Sequence, residues 1–153
     1  MKRCAMLGLV LVVGLLLVSP AIADKAADVE ALVGAGAAMV KAKGVEATLK
    51  AIGDPKGPFI KGDLYLFAGP LDKVTLSAHP YKADTTVGKD LSKFKDLKGD
   101  ALFVKFRELA NGPGKGWSEY WWPKPGEKKP SKKRTYIMRV PGQNLWIGGG
   151  YYE

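Results

Sequence analysis

The spacing of hydrophobic positions changes several times along the chain, and each change marks an element. From Asp24 to Lys43 the residues Val29, Leu32, Val33, Gly36 and Val40 recur at intervals of three and four, with alanines and glycines filling the gaps. That period predicts a helix with one buried stripe. The small residues Ala35, Gly36, Ala37 and Ala38 let the helix approach closely whatever lies beneath it. A second, shorter helix is expected after Gly44, with Val45, Leu49 and Ile52 on one side and a stop at Gly53-Asp54-Pro55.

Beyond the turn-rich stretch from Asp54 to Pro58 the period shortens. Asp63 to Ala68 is apolar on both alternating sides, as an inner strand must be. Gly69 to Asp72 reads as a turn, and Val74, Leu76 and Ala78 alternate with Thr75, Ser77 and His79, which predicts a hairpin partner for the first strand. Pro80 to Lys95 has little periodicity but carries Tyr81, Val87, Leu91 and Phe94, so it is expected to fold back over the sheet. A helix from about Lys98 to Ala110 ends at Asn111-Gly112-Pro113-Gly114. Strands at 116–122, 134–140 and 145–151 follow, separated by a polar loop from Pro123 to Lys133 and a tight turn at Pro141-Gly142-Gln143. The order implies an α+β fold: an antiparallel sheet of about five strands packed against a long N-terminal helix.

The first 23 residues form a separate unit. Lys2 and Arg3 precede an apolar run from Ala5 to Val18, which ends at Pro20 and the triplet Ala21-Ile22-Ala23. This is the pattern of a secretory signal peptide cleaved before Asp24, with an uncleaved anchor as the other reading, and the run falls short of the ~20 apolar residues a membrane-spanning helix needs. Residues 24–153 are then a single domain in the periplasm, not itself spanning the membrane. Cys4 is the one cysteine and lies in the leader, so neither disulfides nor thiolate metal sites serve the mature domain. Of the formal net charge of +9, Lys2 and Arg3 contribute two, and Lys128, Lys129, Lys132, Lys133 and Arg134 crowd into one segment. Export and the absence of a basic helix face argue against nucleic acid. A solvated hairpin loop accounts for most of that run, with anionic ligands or lipid headgroups as its other readings.

The chemistry is narrowed by what is missing. There is no phosphate-binding loop, nucleophile elbow or paired-histidine motif, and with His79 as the lone histidine no His/Cys zinc site can be assembled. No activated nucleophile or acid–base pair can be named, so a non-enzymatic protein without a cofactor is expected. What the sequence offers is an aromatic and basic constellation: Tyr65, Phe67, His79, Trp117, Tyr120, Trp122, Lys133 and Tyr136, on predicted strands or at their ends. Tyr65 and Phe67 share one face of their strand, Ser118, Tyr120 and Trp122 one face of theirs, and Arg134, Tyr136 and Met138 one face of the next. If those faces coincide they line a concavity suited to a small carboxylate, because a buried anion needs several hydrogen bonds and an opposite charge while rings cover its carbon tail. The other reading of these aromatics is plain core, and His79, beside Pro80, reads equally as a capped structural histidine.

In these residues the chain resembles the single Cache domains of type 2, extracellular sensor modules of chemoreceptors and sensor kinases. The likeness runs from about Val33 to Tyr152. It is carried by Gly44-Val45-Glu46-Ala47, Asp54-Pro55-Lys56-Gly57-Pro58-Phe59, Gly62-Asp63-Leu64-Tyr65-Leu66-Phe67, Ala78-His79-Pro80, Val87-Gly88-Lys89-Asp90-Leu91, Lys95-Asp96, Gly116-Trp117-Ser118-Glu119-Tyr120-Trp121-Trp122, Lys133-Arg134-Thr135-Tyr136 and Ile147-Gly148-Gly149-Gly150-Tyr151. The resemblance implies a PAS-like sheet that binds small molecules, often short-chain carboxylates, on the face covered by the loop after the second strand. It places Tyr65, His79, Trp117, Tyr120 and Tyr136 at pocket-lining positions and Lys133 at the basic position ahead of the Thr-Tyr pair. Two features depart from it: Leu71-Asp72-Lys73 stands where the family commonly has an Asp-Gly turn, and Glu153 follows directly on the last strand, so no signalling output is expected. The sequence thus leads to an exported binding protein for a small anionic metabolite, with Lys133 or Arg134 as counter-ion, that presents itself to a membrane sensor kinase or chemoreceptor in signal transduction such as chemotaxis. The alternative is a ligand-free interaction module docking on such a sensor or on an anionic surface.

Overall fold

A computed structural model describes residues 20–153. The apolar run expected to act as an export signal lies outside the described residues. The chain runs through helix α1 (Pro20–Lys43), α2 (Val45–Gly53), strands β1 (Ile60–Lys61) and β2 (Leu64–Gly69), a short helix α3 (Ala83–Thr86), α4 (Leu102–Asn111), and strands β3 (Lys115–Pro123), β4 (Pro130–Arg139) and β5 (Trp146–Tyr152). The strands form one antiparallel sheet in the order β1-β2-β5-β4-β3. Among the described residues no helix is long and apolar enough to cross a membrane.

The sheet separates two cores. On one face α1 and α2 cover Leu64, Leu66, Ala68, Tyr136 and Ile147, with Val29, Val33 and Val40 as the buried stripe of α1. The stripe is the one read from the sequence. Close approach of α1 to the central strand depends on Gly149, where a Cβ would stand 2.8 Å from Leu66 Cδ2 and 3.1 Å from Val33 Cγ2. The other face carries Tyr65, Phe67, Tyr120, Trp122, Ile137, Trp146 and Tyr152 under α4 and the long segment between β2 and α4.

Two expectations about the sheet are corrected. Residues 74–78 do not form a hairpin strand with β2: Ala78 touches Ala68, and Leu76 touches Val87, through isolated bridges. The edge of β2 is taken instead by β1, which pairs Ile60 with Tyr65 and Lys61 with Leu64. Alternation from Val74 to Ala78 arises because the backbone crosses the sheet edge, where Leu76 is buried in the core under α4 and Ala78 in the core under α1 and α2. The polar loop ahead of β4 is also shorter than expected. Pro130 already pairs with Pro123, so Lys132, Lys133 and Arg134 belong to a strand and not to a solvated loop.

Candidate functional site

The register of the sheet decides which side chains meet. Tyr120 lies directly opposite Lys133, and Lys133 opposite Tyr152, so these three share a face. The next row places Tyr65 beside Gly150 and Gly150 beside Thr135. Gly150 matters for space: a Cβ there would collide with Thr135 Oγ1 and the Arg134 carbonyl and reach within 2.9 Å of Lys133 Cε. The missing side chain is the room through which Lys133 lies across the sheet.

Above this face the covering segment lowers His79 onto the rings. Its imidazole is 5.2 Å from Tyr65, 5.9 Å from Phe67 and 6.1 Å from Trp122, centroid to centroid. Nδ1 accepts hydrogen bonds from the backbone N–H groups of Tyr81 and Lys82, both at 3.1 Å, which fixes the ring proton on Nε2. Burial, with the nearby Lys133 and Lys82 amines adding to it, pushes the His79 pKa down to about 3. His79 thus caps a turn and also lines the hollow. With α4 contributing Leu102, Phe103 and Phe106, the walls enclose about 10 Å³, space for about one water. An outer cleft of about 310 Å³ lies alongside, between Tyr81, Lys82 and the residues from Pro123 to Lys128, and Tyr65 and Trp122 line both spaces.

A chain of hydrogen bonds orients the polar edges. Tyr65 meets the Tyr152 hydroxyl at 3.3 Å, and Tyr152 donates to the Pro123 carbonyl at 2.8 Å. Because Tyr152 spends its proton on Pro123, Tyr65 is the donor to Tyr152. Tyr120 pairs with Thr135 Oγ1 at 2.9 Å. Burial raises the pKa of both Tyr65 and Tyr120 well above the usual phenol value, so both stay as neutral hydroxyls.

Lys133 is the exceptional group. It is fully buried, and among the described residues its Nζ has no hydrogen-bond partner. The amine stands 3.7 Å from the Tyr65 ring centroid, 5.1 Å from Tyr152 and 5.4 Å from Phe67. Desolvation pulls its pKa well below the ordinary lysine value, opposed weakly by the charge of Asp63. Contact with π faces returns about 2 kcal/mol to a desolvated cation, whereas burying the ion costs several kcal/mol. The rings therefore do not hold the charge by themselves, and an anion brought to Nζ would do so.

Six of the eight residues singled out in the sequence share this face: Tyr65, Phe67, His79, Tyr120, Trp122 and Lys133. Trp117 and Tyr136 do not. They oppose each other across β3 and β4 on the α1 side, 5.3 Å apart, and Trp117 Nε1 donates to Glu30 Oε1 at 3.3 Å. Arg134 also lies on that side, 5.3 Å over Trp117, donating to the Tyr151 hydroxyl at 3.2 Å and paired with Glu119 at 3.0 Å. As a counter-ion it is corrected: residues of alternate parity on one strand face opposite ways, and Lys133 is the cation on the hollow side. Sequence reading missed Tyr152 and Thr135, which complete the polar edges, although Tyr152 has the parity that a partner of Lys133 requires.

A sequence model described as a Cache domain matches residues 50–153. The methyl-accepting chemotaxis protein McpP of Pseudomonas putida is 38% identical over 64 residues, 42% of this chain, and the match spans 12% of that relative's length. Among solved structures, a periplasmic sensor domain of a chemotaxis protein superposes with a TM-score of 0.69 at 26% identity, covering 88% of this chain and 99% of that one. A Cache chemosensory domain described for carboxylic acid recognition gives 0.68 at 27% identity, covering 85% of this chain and 91% of the other. A methyl-accepting chemotaxis protein from Vibrio parahaemolyticus shares the fold, with a TM-score of 0.71 at 21% identity over 86% of this chain and 90% of that one.

Proposed function

The chain belongs to the Cache domain family, and from that membership we propose that it is an exported, periplasmic sensor domain that binds a short-chain carboxylate in the hollow under its covering segment. The observation that carries this reading is Lys133, fully buried among neutral rings and, among the described residues, without a hydrogen-bond partner. A carboxylate is the guest that answers it, supplying the opposite charge while Tyr65, Phe67 and Trp122 cover a short carbon tail. His79, with its proton on Nε2, and the hydroxyls of Tyr65 and Tyr120 are the neutral donors at hand. The likeness to a Cache domain described for carboxylic acid recognition supports the same class of ligand.

Binding requires movement, because about 10 Å³ is less than any carboxylic acid occupies. Tyr65 and Trp122 divide the hollow from the outer cleft, so a swing of Trp122 together with the Tyr81 turn would join the two spaces. Such a step is what a sensor needs: occupancy by the ligand becomes a displacement of the covering segment, which a membrane sensor kinase or chemoreceptor reads. Nothing in this reading asks the domain to catalyse a reaction.

The small volume is also what favours the second reading, a module that keeps the fold but takes no ligand and docks through Lys124, Lys128 and Lys129 on a sensor or an anionic surface. A thermal-shift screen separates the two. Acetate, propionate, lactate and pyruvate should raise the melting temperature, while amines and sugars leave it unmoved. If no carboxylate stabilises the folded protein and anionic vesicles retain it, the docking reading stands instead.

A further inference from the structure

The charge state of Lys133 has a consequence for how an acid is bound, resting on the reading of this hollow as a carboxylate site. Groups face the amine from every element around it. β2 presents the ring of Tyr65, β3 presents Tyr120 and β5 presents Tyr152, all neutral phenols. The covering segment presents His79, uncharged and locked by two backbone donors, with Lys82 behind it. Asp63, before β2, is exposed and makes no ion pair with the amine. α4 presents hydrocarbon and rings, because its Lys105 is paired with Asp100 and its Arg107 with the Leu71 carbonyl.

An ammonium in this setting would be buried with no counter-charge, at a cost the π faces do not offset. Burial without a counter-charge accordingly favours the neutral amine in the free domain, the direction in which desolvation shifts Lys133. An arriving carboxylate reverses the balance, because its charge lies next to Nζ in a water-poor site where an opposite charge strongly favours the protonated form. We infer that the hollow takes up its ligand as a monocarboxylate together with one proton, and that this proton ends on Lys133 Nζ. The stoichiometry is R–COO⁻ plus H⁺ plus the neutral amine, giving a buried ammonium–carboxylate pair; one N–H bond forms and no covalent bond breaks. Such a sensor responds to the acid and to acidity together, answering the same total concentration more strongly as its surroundings acidify.

Calorimetric titration with propionate, in phosphate and in Tris between about pH 6 and pH 9, reads the proton directly, because the two buffers differ in ionisation heat. Propionate itself is fully ionised through this range. Proton uptake should rise toward about one per ligand with pH, with affinity falling up to about tenfold per pH unit where uptake is complete. In His79→Asn, which retains a side-chain acceptor for the Tyr81 and Lys82 N–H groups, affinity should fall with the lost Nε2 donor while each propionate bound still brings in the same proton. Binding whose heat is identical in both buffers at every pH overturns the inference while leaving the carboxylate site standing. Uptake that disappears in His79→Asn, or persists together with binding in Lys133→Met, overturns it as well. Absence of binding by any acid overturns both.

Discussion

The amine of Lys133 stands 3.7 Å from the centre of the Tyr65 ring, out of water and, among the described residues, without a hydrogen-bond partner. An unsatisfied buried polar group costs about 1–3 kcal/mol, so removing it should help the fold. Lys133→Met, which keeps the length of the stem, is expected to raise stability by about that amount while abolishing the response to carboxylates. Urea denaturation checks the first part and the thermal-shift screen the second. A loss of stability would mean that the amine is satisfied in the native protein.

Stability should also depend on pH in a definite direction. Lys133 has its pKa lowered on folding, so between that value and the ordinary lysine value of about 10.4 the unfolded chain binds a proton that the folded one does not, and stability rises with pH. Tyr65 and Tyr120 are raised, so above about pH 10 the unfolded chain loses protons that the folded one keeps, and stability falls. A maximum near about pH 10 is expected in urea titrations of the ligand-free protein, and the rise toward it should flatten in Lys133→Met.

On the acid side His79 sets the slope. Its pKa drops from the model-peptide value of 6.5 to about 3 on folding, so stability is lost as pH falls through that interval. Up to about 1.4 kcal/mol per pH unit comes from one such group. His79→Asn, which keeps the acceptor for Tyr81 and Lys82, should be less stable at neutral pH but show a shallower acid limb. An unchanged acid limb would show that the ring is not desolvated.

Gly150→Ala is expected to be costly beyond the usual surface range, by about 1–3 kcal/mol, because the new methyl meets Thr135, the Arg134 carbonyl and the stem of Lys133. Propionate binding should weaken with it, since the methyl would displace the stem of Lys133. Trp117→Phe tests the opposite face. It removes the bond to Glu30 and should cost about 0.5–1.5 kcal/mol in stability while leaving acid affinity unchanged.

The amphipathic stripe of α1, the stop at Gly53 and the doubly apolar character of β2 were all readable from periodicity, because burial on one or both faces writes directly into residue order. The mistaken hairpin strand at 74–78 shows the limit of that signal. Leu76 and Ala78 are buried, one in each core, and burial does not reveal whether the backbone pairs. In the site, parity alone would have separated Lys133 from Tyr136 and Trp117 from Tyr120, since neighbours of opposite parity on a strand cannot share a face. Which face looked toward the covering segment, and that Lys133 would be wholly buried and not part of a solvated basic run, depended on register with β5 and on Gly150. Those are tertiary facts that local sequence does not encode.

The central claim is that the buried amine of Lys133 receives the carboxylate. Isothermal titration of acetate and propionate into the wild-type protein and into Lys133→Met, side by side at neutral pH, tests it most directly. Saturable binding by the wild type, with at least a tenfold loss in the folded variant, is expected. Equal affinity in the two proteins, or heat from neither, would contradict it.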